Sequence, residues 1–363
     1  MTPAGWTLAR RLTRKLCVGS VTVGGGAPVS VQTMTKTDTR DVAATVAQIR
    51  EVAAAGCDIV RLAVPDESAA RALGDIRRES PLPLIADIHF DHRLALIVLD
   101  GGVDGLRLNP GNIGGAERVR EVVKAAAGRQ VPIRIGVNAG SLEKSLLARH
   151  GGATAEALVE SALGHVALLE AAGHQEIKIS VKASDVGRTV AAYRLLAQRT
   201  DYPLHLGVTE AGTLLSGTVR SSVALGILLA EGIGDTVRVS LTDHPLQEVR
   251  VGLDLLRVFG HKPPGARVIS CPTCGRIQID VIALAQRVEA ELELHYLNHP
   301  DAARPVVAVM GCAVNGPGEA READIAIAGG AGKAALYVRG VCVGTLPESE
   351  IVPRLLEEVR GWS

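Results

Sequence analysis

The sequence predicts an α/β protein, a TIM (β/α)8 barrel followed by a small α+β domain. Three observations carry that expectation. From about residue 29 to 258, short β-rich runs alternate with longer segments of helical period, the pattern of parallel strands joined by crossover helices. About eight strand–helix units can be counted, the number that closes a barrel. Past a proline- and glycine-rich stretch at 260–265 the alternation stops.

The strands are expected at 29–34, 59–64, 84–88, 105–109, 133–138, 177–182, 204–209 and 237–241. The helices that follow them are expected at 41–55, 68–79, 93–100, 117–127, 153–172, 185–198, 217–231 and 247–258. An open, doubly wound sheet is the rival, but it would show a glycine-rich phosphate turn after its first strand. Here Met34 is followed by Thr35, Lys36, Thr37 and Asp38. Several strands end in polar side chains, namely Gln32, Arg61, Asp87, Arg107, Arg134, Lys182 and Arg238, and a barrel gathers strand ends at one rim.

Before the first strand, Val21, Thr22 and Val23 run into three glycines, which suggests a hairpin plugging the barrel floor. The barrel domain is therefore placed at 1–259. Beyond the 260–265 linker, strands are expected at 268–270, 306–310, 324–328 and 335–339, around helices at 279–296 and 348–360. These form a second domain at 266–363. No repeat of 20 to 50 residues is visible apart from the βα alternation.

Composition narrows the function. Of 363 residues 47% are apolar, enough for large cores, and 39 basic residues balance 39 acidic ones. That balance removes the electrostatic footprint of a nucleic-acid-binding protein but leaves room for a small anionic substrate. The basic N-terminus, with Arg10, Arg11, Arg14 and Lys15, is followed by a stretch interrupted by Gly19, Ser20 and Thr22, unlike a signal-peptide core. The longest apolar run, 223–230, falls far short of the roughly 20 residues that span a bilayer. A cytoplasmic protein without membrane contact is expected.

Six cysteines are too sparse for a secreted disulfide framework, whereas the pair Cys271 and Cys274 suggests metal or redox chemistry. A third thiol, Cys312, lies in a second turn of small residues after an apolar run. Three thiols without a fourth suit a cluster with one open iron, since electron carriers usually tie every iron with a thiolate. A structural zinc site is the alternative, although no histidine lies near Cys312 to complete it. Cys17, Cys57 and Cys342 read as packing residues.

The two cysteine motifs, Cys-Pro-Thr-Cys-Gly-Arg at 271–276 and Met-Gly-Cys-Ala-Val-Asn-Gly-Pro-Gly-Glu at 310–319, resemble the signature of the 4-hydroxy-3-methylbut-2-enyl diphosphate synthase family. The likeness continues through Ser-Val-Gln-Thr-Met at 30–34, Gly-Cys-Asp-Ile-Val-Arg at 56–61, Asp-Ile-His-Phe at 87–90, Leu-Arg-Leu-Asn-Pro-Gly-Asn at 106–112 and Leu-Gly-Val-Thr-Glu-Ala-Gly at 206–212, and so covers nearly the whole chain. The resemblance implies one 4Fe-4S cluster per chain, on Cys271, Cys274, Cys312 and Glu319, with Glu319 on the unique iron at rest. It implies the two-domain bacterial form, because the short linker leaves no room for an inserted domain. It further implies 2-C-methyl-D-erythritol 2,4-cyclodiphosphate as substrate, flavodoxin or ferredoxin as electron donor, and a homodimer in which one subunit's cluster domain caps the other's barrel mouth.

The basic residues give the substrate a place. Arg61, Arg107, Arg134, Lys182 and Arg238 belong to five different strands and would ring one mouth, where arginine forks and a lysine suit diphosphate oxygens. Asn109, Asn138, Ser180 and Ser240 can add uncharged hydrogen bonds. Glu210, beside Thr209 at the end of the seventh strand, is the proton donor of choice, with Asp87 and His89 as weaker candidates. His205 reads as a satisfied barrel histidine.

Overall fold

The structure is a computed structural model that describes residues 9–109, 113, 115–312, 316–330 and 332–362. Residues 110–112 and 313–315, which carry part of two motifs quoted above, lie outside the described residues. The chain divides into two compact units, Met1–Lys262 and Pro263–Ser363.

The first unit opens with an antiparallel hairpin, β1 (Leu16–Val18) and β2 (Val21–Val23). Strand alternation turns Leu16, Val18 and Val23 onto Ile59 and Ile85, which face the barrel interior near the strands' beginnings, so the hairpin closes part of the floor. Then come β3 (Ser30–Met34), α1 (Val42–Ala54), β4 (Ile59–Val64), α2 (Glu67–Glu79), β5 (Leu84–Ile88), α3 (His92–Asp100), β6 (Gly105–Leu108), α4 (Ala116–Ala127) and β7 (Ile133–Asn138). The second half holds α5 (Lys144–His150), α6 (Ala155–Ala171), β8 (Ile177–Lys182), α7 (Val186–Arg199), β9 (His205–Leu206), α8 (Leu214–Ala230), β10 (Thr236–Val237) and α9 (Pro245–Val258). Side chains cap several of these helices: Asp41, Asp66, Asp91, Thr154 and Asp185 each accept a hydrogen bond from a first-turn amide.

All eight strands pair in parallel in the order β8-β7-β6-β5-β4-β3-β10-β9. The ring closes where Ile179 bridges Leu204, its N–H donating to Pro203 O at 3.0 Å. The doubly wound alternative is thereby excluded. Outside the sheet, buried Val, Ile and Leu from strands and helices form one continuous core.

Three local differences from the sequence reading have physical causes. The strands expected at 204–209 and 237–241 shorten to β9 and β10, because the chain splays to admit a side chain from β8: a Cβ on Gly207 would meet Lys182 Nζ, and Arg238 O at 2.8 Å. A 3-10 turn (Ala139–Ser141) and α5 stand between β7 and α6, where no element was expected. Cys57 is buried, its thiol pushed up to about 12 by desolvation, but Cys17 and Cys342 are exposed and not packed. Cys17 alternates outward between two buried neighbours of β1.

The second unit holds β11 (Arg267–Ser270), α10 (Val281–Asn298), β12 (Val306–Met310), α11 (Gly316–Ala320), β13 (Ile325–Gly330), β14 (Lys333–Val338), β15 (Val341–Pro347) and α12 (Ile351–Arg360). The sheet runs β11-β12-β13-β14-β15, parallel through β13 and antiparallel beyond it. Leu284, Val288 and Leu292 of α10 and Ile351, Leu355 and Val359 of α12 cover one face, over Val307, Val309, Ile325 and Ile327. β15, which carries Cys342, is an exposed edge strand that the sequence reading missed.

Candidate active site and candidate metal centre

The C-terminal ends of the barrel strands surround a cavity of about 170 Å³, lined by Arg61, Asp87, His89, Arg107, Arg134, Asn138, Lys182, Thr209, Arg238 and Ser240. Five cations therefore share a space with one carboxylate. Asp87 mediates between them: Arg107 Nη1 donates to its Oδ1 at 3.0 Å, and Arg61 Nε stands 3.6 Å from its Oδ2. Burial alone would push the Asp87 carboxyl up, but Arg61, His89 and Arg107 outweigh it and hold the group well below the usual range, so Asp87 is ionised. His89 Nε2 lies 2.6 Å from Arg107 Nη1 and 3.3 Å from Asp87 Oδ1.

The cations remain under-compensated. Desolvation, opposed by Asp87 and reinforced by neighbouring arginines, pulls Arg61 down to about 10. Burial beside other cations puts Arg134 and Lys182 well below their ordinary values. Arg134 donates to Ser180 Oγ at 2.7 Å, yet among the described residues its Nε and Nη2 have no hydrogen-bond partner, nor do Nε of Arg107 and Nε of Arg238. Buried donors without acceptors beside compressed positive charge are what an incoming polyanion satisfies. Glycines make the space: a Cβ on Gly136 would meet Arg107 Nε at 2.5 Å.

Most of the residues chosen from sequence meet here, and three, Ser180, Asn109 and Glu210, do not. Ser180 is buried below the cavity, accepting from Arg134 and donating to Ile135 O at 3.3 Å. Asn109 is buried just past β6 without lining the cavity. Glu210 stands next to Thr209 but is exposed, at the rim, with φ 53°. His205, read as a satisfied barrel histidine, is only half satisfied among the described residues: Nδ1 lies 2.7 Å from Thr236 Oγ1, and Nε2 has no partner. Arg238 could have paired with Glu210; instead it pairs with Glu248 of α9 at 3.4 Å. Glu248, 1% exposed, also accepts from Thr33 Oγ1 at 2.8 Å and from Leu241 N at 3.0 Å. Sequence reading missed it because a helical glutamate looks like a surface residue, and the preceding His244-Pro245 cap was the one available hint.

In the second unit Cys271 and Cys312 sit at one end of the sheet. Cys271 follows β11 and Cys312 lies two residues past β12, and these strands are parallel neighbours, with Ser270 opposite Val309. Cys271 Sγ lies 3.4 Å from where a Cβ on Gly311 would stand. Gln278 N donates to Gly311 O at 2.8 Å and Ile277 N to Cys274 O at 3.1 Å, so the two turns are tied together. Thr273, between Cys271 and Cys274, has φ 64°, a backbone state rare for a β-branched residue and frequent at functional turns. Glu319 is exposed on α11.

No cysteine is in a disulfide. Among the described residues no three His, Cys, Asp or Glu side chains gather closely enough for a single metal ion. Thiol donors on two adjacent strand ends suit a thiolate-held metal group such as an iron-sulfur cluster.

Residues 13–253 match the family described as GcpE TIM-barrel domain, and residues 267–361 match that described as GcpE protein C-terminal domain. The chain belongs to the GcpE family. A relative from Geobacter sulfurreducens named 4-hydroxy-3-methylbut-2-en-1-yl diphosphate synthase (flavodoxin) is 62% identical over 96% of this chain and 97% of its own length. A relative of the same name from Thermodesulfovibrio yellowstonii is 52% identical over 97% of this chain and 99% of its own. Solved structures of dihydropteroate synthase from Xanthomonas albilineans align with 68% of this chain and 97% of theirs, at 18% identity and TM-score 0.49, too slight a likeness to bear on function. No helix among the described residues is long and apolar enough to cross a membrane.

Proposed function

We propose that this GcpE-family chain is a cytoplasmic enzyme of the non-mevalonate isoprenoid pathway. It opens 2-C-methyl-D-erythritol 2,4-cyclodiphosphate reductively and dehydrates it to 4-hydroxy-3-methylbut-2-enyl diphosphate, with flavodoxin or a ferredoxin as electron donor. The observation that carries the reading is the rim cavity, where five cations meet one carboxylate. The family relatives' shared name supports it.

In this reading Arg61, Arg107, Arg134, Lys182 and Arg238 clamp the diphosphate, and Asn138, Thr209 and Ser240 orient it through uncharged hydrogen bonds. Asn109 and Ser180 act from behind, Ser180 by fixing Arg134. Asp87 keeps the arginines apart and aimed before the substrate arrives. Glu210, at the rim, delivers the proton that turns a leaving hydroxyl into water. Cys271, Cys274, Cys312 and Glu319 would hold an iron-sulfur group of the 4Fe-4S type, which when bound supplies two single electrons and a Lewis-acidic iron.

The reading includes a homodimer in which one subunit's C-terminal unit caps its partner's barrel. A ridge on α8 supports self-association: Leu215, Val219, Val223 and Ile227, four residues apart, are 77%, 55%, 48% and 37% exposed. Anaerobically purified protein, given dithionite or reduced flavodoxin and the cyclodiphosphate, is expected to release the linear diphosphate. A colourless, iron-free preparation that needs no reductant would sink the reading. Mixing a barrel-dead with a cluster-dead variant tests the shared site, since partial recovery of turnover is expected only if subunits complement each other.

A further inference from the structure

Below the anion cavity the barrel interior has two unlike halves. At β4, β5 and β6 the inward positions are Ile59, Ile85 and Gly105, and the hairpin covers them. At β7, β8, β9, β10 and β3 they are Arg134, Lys178, His205, Thr236, Ser30 and Gln32, all buried. Among the described residues, Lys178 Nζ, His205 Nε2, Ser30 Oγ, both amide atoms of Gln32, and Nε and Nη2 of Arg134 have no hydrogen-bond partner. Barrels of this type ordinarily fill such layers with branched aliphatic side chains. Polar groups this deeply buried are held by water when protein does not satisfy them.

Lys178 lies on the same face of β8 as Ser180 and Lys182, about 13 Å down the strand from the latter at the usual rise per residue. Arg134 stands opposite it in the parallel register. The charged and titratable groups acting on it from the packed elements are Arg134 on β7, Asp235 just before β10 and His205 on β9. Asp235 is already committed: it accepts from Thr13 Oγ1 at 2.9 Å and from Leu204 N at 2.8 Å, and pairs with Arg10 at 3.4 Å. His205 is held neutral by burial and by the surrounding cations. Lys178 is the member of this group able to change its charge.

We propose, resting on the diphosphate reading above, that this buried polar half-barrel is coupled to the cavity over it, so that Lys178 takes up a proton from solvent when an anion occupies the cavity and releases it when the anion leaves. Burial, then Arg134, hold the amine down at about 7, so above that pH it is mostly neutral in the unliganded protein. An anion resting on Arg134 and Lys182 offsets the positive charge that keeps the proton away, and the interior's low polarity carries that effect along the strand. Lys178 touches no substrate. It is a positioning residue that matches the site's charge to that of its occupant.

The test is calorimetric titration of the whole chain with inorganic pyrophosphate between pH 7 and 9, in two buffers of different ionisation enthalpy, for wild type, Lys178→Met and Lys178→Gln. Wild type is expected to take up more protons per anion bound than either variant. Its affinity is expected to fall more steeply with pH than theirs, by up to tenfold per unit. If Lys178→Met does not fold, Lys178→Gln, which keeps a polar tip for water, carries the comparison. Equal proton uptake by wild type and Lys178→Gln overturns the coupling and leaves the diphosphate reading intact. Failure of wild type to bind pyrophosphate at all overturns both.

Discussion

The rim of the barrel and the cysteine end of the second unit are both built from strand termini, yet they hold their functional groups differently. At the rim, Arg61, Asp87, Arg107, Arg134 and Lys182 are nearly or fully buried, and Asp87 and Ser180 fix two of the arginines. At the cysteine end Cys274 and Glu319 are exposed, and the order that exists comes from backbone bonds between the turns. The rim is thus preorganised by its own ion pairs, whereas the thiol turns are joined by backbone hydrogen bonds and leave Cys274 and Glu319 at the surface. Preorganisation favours selective capture of an anion; exposed donors would suit, under the proposed function, assembly around a group that binds later.

That contrast can be broken or sharpened by substitution. The largest effect is expected from Cys312→Ser, which should remove iron, colour and turnover together while leaving pyrophosphate binding at the rim unchanged; loss of anion binding as well would mean the two sites are not separable. Glu210→Gln is expected to lower kcat by roughly 10² to 10⁴ with little change in diphosphate affinity, the mark of a proton donor. A change confined to KM would make Glu210 a binding residue. Arg107→Met is expected to weaken pyrophosphate binding about 10- to 100-fold, the loss of charge-assisted hydrogen bonds worth about 1.5 to 3 kcal/mol, with iron content untouched.

The smallest effect concerns stability. Lys178 binds its proton less tightly in the folded chain, at about 7, than in the unfolded chain, where an ordinary lysine value holds. Between those values the unfolded state carries more protons, so stability rises with pH across this window and is lowest below it. Lys178→Met should flatten that rise in denaturant titrations at pH 7 to 10 and should not lower stability at pH 7. A flat wild-type profile would contradict the burial of an unpaired amine.

Much of this was legible in the sequence. Parallel strands buried on both faces announce themselves as short apolar runs, and the cations at their ends stand out against them, so the barrel and most of its rim could be read directly. What escaped depends on tertiary geometry. Glu248 reaches the site from a helix whose sequence looks like a solvated face, and β9 and β10 are cut short by a lysine arriving from β8. Ser180 was chosen for the substrate and is found supporting Arg134, a difference of one layer in depth that strand alternation cannot resolve. The antiparallel edge strand β15, exposed along nearly its whole length, lacks the apolar pattern by which the other strands were recognised.

The carboxylate that two guanidinium groups share leaves several donors around it unmatched among the described residues. One small anion such as chloride can meet only a few of them at once, whereas closely spaced oxygens carrying several charges can meet many. Discrimination at the barrel mouth would then follow the number of charged oxygens a guest presents, not its size.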